Sequence, residues 1–221
     1  MMMAITNSSH RSKARHALLV IDVQYDFLPG GALAVPHGDE ILAPLRDLMN
    51  SGAFDLIVAT QDWHPRGHIS FASSHRRRRP MDVIDLYGHA QTLWPDHCVQ
   101  GTRGAMLHAD LPWDKAALII RKATDPMVDS YSAMRNNWNP RSKRPRTGLA
   151  GFLREHRVRD IYICGLARDF CVRWSAEDAA KDGFRVVLIW DLCRSIDPAG
   201  DDRLRRRLIA RGIKIVNSSE V

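Results

Sequence analysis

The chain has 221 residues, of which 45% are hydrophobic and 26% charged, enough apolar chain to bury one sizeable core. No apolar run approaches the roughly 18 residues of a membrane span, so neither a spanning helix nor a membrane partner is expected. The formal net charge of +7 comes largely from three basic runs, at 76–79, 141–146 and 203–207. With no nucleic-acid motif of interleaved aromatics around them, they read as solvated surface and not as a polyanion site.

The N-terminal stretch is polar and lacks the apolar segment of a secretory signal. Residues 1–16 are read as a flexible tail and 17–221 as a single domain. The four cysteines, Cys98, Cys164, Cys171 and Cys193, then suit free thiols in a reducing cytoplasm better than a disulfide framework.

Strand-like and helix-like patterns alternate along the domain. HALLVIDVQ (16–24) reads as a buried strand, and 38–52 as a helix that stops at glycine. FDLIVATQDWH (54–64) is a second strand, followed by a long polar loop over 65–114. A third strand is expected at 115–123, then a helix at 147–157 with Thr147 as cap. The remaining pattern is strand 159–167, helix 169–183, strand 184–193, helix 201–212 and strand 213–218. The strands are apolar throughout, as in a parallel sheet covered on both faces. The expected fold is α/β: one doubly wound domain with a six-stranded, mainly parallel sheet and helices on both faces.

Ligands of such sheets sit beyond the carboxyl ends of the strands. Those ends carry Asp22, then Asp62 with His64, then Arg121 with Lys122, and finally Cys171. If Asp169 caps the following helix, Cys171 falls in its first turn, where the dipole and free amides favour a thiolate and can hold an oxyanion. A lone cysteine is more often inert packing; a base and a cation at neighbouring strand ends, Asp22 and Lys122, change that balance. Asp62 and His64 are two apart on extended chain and point the same way, with His68 close by and His97 about thirty residues on. One carboxylate with two imidazoles suits Zn²⁺, Fe²⁺ or Mn²⁺. Cys98, adjacent to His97, is held as packing. Phe27, Trp94 and Tyr131 lie in loops above the strand ends, where they either sandwich a flat substrate or simply pack. Leu166 and Phe170, beside the cysteine, are counted with them as substrate-binding candidates.

Five segments carry a resemblance: LLVIDVQYDFLPGGALAV (18–35), ATQDWHPRGHISFAS (59–73), LWPDHCVQGTRGA (93–105), the lysine of IIRKATD (119–125) and CGLARDFCVRWSAEDA (164–179). The chain resembles the nicotinamidases, also called pyrazinamidases, of the isochorismatase-like cysteine hydrolase superfamily. The resemblance implies a triad of Asp22, Lys122 and Cys171, and a metal set of Asp62, His64 and His97, Zn²⁺ being the first choice of ion. His68 corresponds to a histidine that is a ligand in some relatives and not in others. The resemblance also implies a cis peptide at Leu166–Ala167, with the Ala167 and Cys171 amides as oxyanion hole. The implied reaction is hydrolysis of nicotinamide to nicotinate and ammonia through a cysteine thioester, with pyrazinamide as a second substrate. The alternative is another amidohydrolase of the superfamily acting on a carbamoyl or ureido substrate. A homo-oligomer is compatible with either. GLARDFC departs from the common GxATDxC by placing Arg168 where threonine is usual, and the sequence offers no reason for it.

Overall fold

A computed structural model describes residues 15–221. The expected tail lies outside it, except for Arg15 and His16, which are the first residues of strand β1 and not tail. In chain order the elements are β1 (Arg15–Ile21), α1 (Leu42–Asn50), β2 (Leu56–Asp62), β3 (Val83–Leu86), β4 (His89–Thr92), β5 (Leu118–Lys122), α2 (Leu149–Glu155), β6 (Val158–Leu166), α3 (Arg173–Lys181), β7 (Arg185–Arg194), α4 (Asp201–Ile209) and β8 (Lys214–Val216).

Six strands form one parallel sheet in the order β5-β2-β1-β6-β7-β8. The chain starts in the middle, moves outward to β5, crosses back over β1 to β6 and moves out the other way. Because such crossovers are right-handed, the reversal puts α1 on one face and α2, α3 and α4 on the other. The side chains of β2 are all buried and those of β1 are buried from Ala17 onward, so both strands are covered on two faces. Each Leu, Ile or Val so covered contributes about 1.5–3 kcal/mol of hydrophobic stabilisation.

Three expectations need correction. The loop over 65–114 is not wholly irregular: β3 and β4 form an antiparallel hairpin closed by Tyr87 and Gly88, at φ 58° and 82°. Both central residues of that turn are left-handed, and Tyr-Gly lacks the Asn-Gly or Asp-Gly signature of such hairpins. Thr147 is not the N-cap of α2, a position taken by Gly148; its hydroxyl donates to the Ala133 carbonyl at 2.6 Å. One basic run is only partly solvated: Arg144 is half-buried and forks onto both oxygens of Asp178 at 3.0 and 2.7 Å, whereas Arg76–Arg79, Arg203 and Arg205–Arg207 are exposed as expected.

Candidate functional site

The direction of strand order reverses between β1 and β6, and the crevice of a doubly wound sheet opens there. β1 delivers Asp22 to that edge and β6 leads to Cys171. Gly165, at φ 114°, pairs with Ile21, and a Cβ on it would sit 2.1 Å from the Ile21 carbonyl oxygen. Only glycine allows the two strands to run together this closely beneath the site. On the other side, Asp62 of β2 and Lys122 of β5 are in-register neighbours.

These residues converge. Lys122 Nζ stands 2.8 Å from Asp22 Oδ2, 2.5 Å from Asp62 Oδ1 and 3.4 Å from Cys171 Sγ, and it donates to the Ser130 carbonyl at 2.9 Å. Asp22 Oδ1 accepts from the Thr60 hydroxyl at 2.6 Å, and its Oδ2 receives no aligned hydrogen bond. Asp22, Asp62 and Cys171 each offer an atom within 4.8 Å of the others. Burial raises the Asp22 carboxyl to about 6, with Lys122 pulling down against it. Burial alone would discharge Lys122, but the Asp22 and Asp62 charges outweigh it and hold the ammonium well above the usual lysine range. Burial also pushes the Cys171 thiol well above the usual cysteine range, despite the pull of Lys122. Cys171 therefore needs a base before it can act as a nucleophile.

Asp62, His64 and His97 each present a possible ligand atom within 4.8 Å of one another, all buried. His97 Nδ1 bonds to the Pro95 carbonyl at 2.8 Å, which turns Nε2 toward Asp62 Oδ2, 3.8 Å away. His64 Nδ1 is buried with no hydrogen-bond partner. Burial, reinforced by nearby His64, lowers the His97 imidazole to about 4 and keeps it neutral, the form that ligates a metal. His68 is placed differently. Its Nδ1 takes the Ser70 amide at 3.2 Å and its Nε2 reaches the Asp125 carbonyl at 2.9 Å, so both ring nitrogens are engaged. Sequence reasoning missed Asp129, a buried carboxylate 3.6 Å from His64 Nε2. The imidazoles of His64 and His68 outweigh burial and hold it below the usual carboxylate range. His64, His68 and Asp129 make a second, overlapping group of possible ligands.

Above these groups lies a small cavity whose lining includes Asp62, His97, Asp129 and Cys171. Phe27, Trp94, Tyr131 and Phe170 line it, joined by Leu33 and Ile196, which the sequence did not suggest. Trp94 and Phe170 meet edge to face at 4.7 Å, and the Trp94 indole donates to the Tyr131 hydroxyl at 3.1 Å. Leu166 does not line the cavity: its side chain is fully buried near Gly38.

The Leu166–Ala167 peptide is cis. Beyond it, residues 168–172 form one wide, π-type turn that runs into α3. Asp169 does not cap it. Its two oxygens accept the Ile196 and Asp197 amides at 3.0 and 2.9 Å, which ties the nucleophile turn to the loop after β7. Arg168 is buried and has a structural place. Its guanidinium stacks 4.0 Å over the Trp190 ring and bonds to the Trp190 carbonyl at 2.9 Å, to the Cys193 carbonyl and to Asp201.

The Isochorismatase domain model matches residues 16–220, and the chain belongs to that family. It is an enzyme of the amidohydrolase class, similar to nicotinamidases and pyrazinamidases. The nicotinamidase of Acinetobacter baylyi is 45% identical over 93% of this chain and 94% of its own length. A solved Acinetobacter baumanii nicotinamidase/pyrazinamidase is 40% identical, covers 95% of this chain and 99% of its own, and superposes with a TM-score of 0.87. A Pyrococcus horikoshii pyrazinamidase solved in complex with zinc is 41% identical over 92% of this chain and 99% of its own, with a TM-score of 0.72.

Proposed function

We propose that the chain hydrolyses nicotinamide to nicotinate and ammonia through a thioester on Cys171, and that pyrazinamide is a second substrate. The observation that carries this reading is the 3.4 Å approach of Lys122 Nζ to Cys171 Sγ, with Asp22 on the same ammonium, on the floor of an aromatic-walled cavity.

Asp62, His64 and His97 would hold a divalent ion, Zn²⁺ first, with Fe²⁺ or Mn²⁺ as alternatives. The partnerless His64 nitrogen and the neutral His97 fit such an ion, and the zinc complex of the Pyrococcus horikoshii pyrazinamidase supports it. When bound, the ion supplies a Lewis-acid contact for the pyridine nitrogen. Phe27, Trp94 and Phe170 flank the ring.

Asp22 Oδ2 takes the proton of the Cys171 thiol as Sγ attacks the carboxamide carbon. Lys122 stabilises the developing thiolate and keeps Asp22 ionised. The amides of Ala167 and Cys171 hold the oxyanion; the Ala167 amide meets no backbone carbonyl among the described residues. The tetrahedral intermediate collapses as Asp22 returns its proton to the leaving nitrogen, so ammonia departs and the thioester remains. Asp22 then takes a proton from water, which attacks the thioester and releases nicotinate and the thiol.

We place the enzyme in the cytoplasm, a reading supported by its four buried free thiols. Among the described residues no helix is long and apolar enough to cross a membrane. The test of function is ammonia release from nicotinamide, with and without a chelator. Release that stops on chelation and returns with zinc supports the reading. Release only from a carbamoyl or ureido substrate would favour the other amidohydrolases instead.

A further inference from the structure

Part of the third basic run faces a groove that the reaction above does not use. The groove is lined by Met81, Phe170 and Leu204 together with Arg173, Arg203 and Arg207. Arg203 and Arg207 lie one turn apart on α4, opposite Arg173 at the start of α3. Arg207 is already paired with Glu177. Arg173 and Arg203 have no ion-pair partner among the described residues, and Arg173 Nε is buried without a hydrogen bond. Two carboxylates also line the groove: both oxygens of Asp169 hold the Ile196 and Asp197 amides, and one oxygen of Asp197, Oδ1, holds that of Ala199. Burial, and after it the neighbouring Arg207 charge, pull the Arg173 guanidinium below its usual value, as an anion in the groove would relieve.

We propose that this groove binds a phosphate monoester of nucleotide size, its phosphate on Arg173 and Arg203 and its base against Met81 and Phe170. Two unpaired guanidinium forks match the two charges and the oxygen geometry of a phosphate dianion, which a single carboxylate would not satisfy. The apolar wall gives a flat base somewhere to lie. Phe170 and Ile196 line both this groove and the cavity above Cys171, so an occupant stands at the substrate's entrance. Occupancy therefore raises the apparent KM for nicotinamide and leaves kcat alone, a consequence that rests on the proposed function.

The test uses the full, zinc-loaded chain and adenosine 5′-monophosphate as probe, with calorimetric titration and steady-state kinetics at fixed ionic strength. The nucleotide is expected to bind and to raise KM several-fold, while adenosine does neither. Arg173→Gln and Arg203→Gln should each weaken nucleotide binding at least about tenfold, and Arg203→Gln should leave uninhibited turnover unchanged. Absence of binding heat, binding unchanged in both variants, or the same KM shift from added chloride alone would overturn the proposal. Nucleotide binding without any nicotinamide turnover would uphold the groove and overturn the proposed function, because the calorimetric signal does not depend on activity.

Discussion

Asp62 and Lys122 join the two halves of the site: Asp62 Oδ1 lies 2.5 Å from Lys122 Nζ, while its Oδ2 faces His97 Nε2 at 3.8 Å. One carboxylate thus serves both the candidate metal group and the lysine beside the thiol. Asp62→Asn is expected to weaken zinc retention by more than about 10- to 100-fold, the loss that removing even an outer-shell partner of a metal ligand causes, and to lower kcat with it. Metal content measured after dialysis, alongside turnover, checks this. A variant that keeps its zinc and binds nicotinamide normally removes Asp62 from the metal set.

In the proposed mechanism Asp22 has to be ionised to take the thiol proton, and burial pushes its carboxyl up to about 6. Its ionised fraction, and with it kcat/KM, should fall roughly tenfold per unit as pH drops below that value and level off above it. The sign follows from the role, since protonation removes the base. Asp22→Asn should abolish turnover at every pH. A pH profile of kcat/KM with no acid limb near this value contradicts the assignment.

Lys122 balances two buried carboxylates, and its loss leaves Asp22 and Asp62 facing each other without a cation. Lys122→Met is expected to cut kcat by about 10³-fold, the order of an electrostatic contact made at the reacting atoms. The remaining activity should show its acid limb at higher pH, because the lysine is what lowers the Asp22 carboxyl. Residual kinetics with an unmoved limb would show that Lys122 does not act on Asp22.

Arg168→Thr restores the residue common at this position and empties a buried guanidinium site between β7 and α4. The Trp190 carbonyl and Asp201 lose the Arg168 guanidinium, the Cys193 carbonyl keeps only Arg194 as side-chain donor, and the variant should lose about 2–4 kcal/mol. The urea midpoint measures it. Arg168→Lys should recover little, since an ammonium reproduces neither the stacking on Trp190 nor the fork. A midpoint unchanged in Arg168→Thr would leave the arginine without a role.

Much of the site was legible because chemistry-bearing residues stand at strand ends in apolar surroundings. Asp22, Asp62, Lys122 and Cys171 interrupt buried strands or follow them directly, and the fold brings those ends to one edge. What was not legible depends on contacts distant in sequence. Thr60 sits inside β2 as an ordinary polar residue until β1 places Asp22 beside it. Asp129 lies in a stretch without helical or strand period, and only its burial against His64 distinguishes it. Asp169 looks like a helix cap because Asp precedes a helical pattern, yet the π-type turn points it at the loop after β7. Arg168 made no sense locally, because each of its partners is more than twenty residues away.

The central claim is that Cys171 forms the covalent bond. Ammonia release from nicotinamide by the zinc-loaded chain and by its Cys171→Ala variant, assayed side by side, tests it most directly. The account predicts that kcat falls by at least about 10⁴-fold in the variant while zinc content stays unchanged, as expected when a nucleophile is removed from an intact site. A Cys171→Ala enzyme that still releases ammonia within tenfold of the wild-type rate would contradict it.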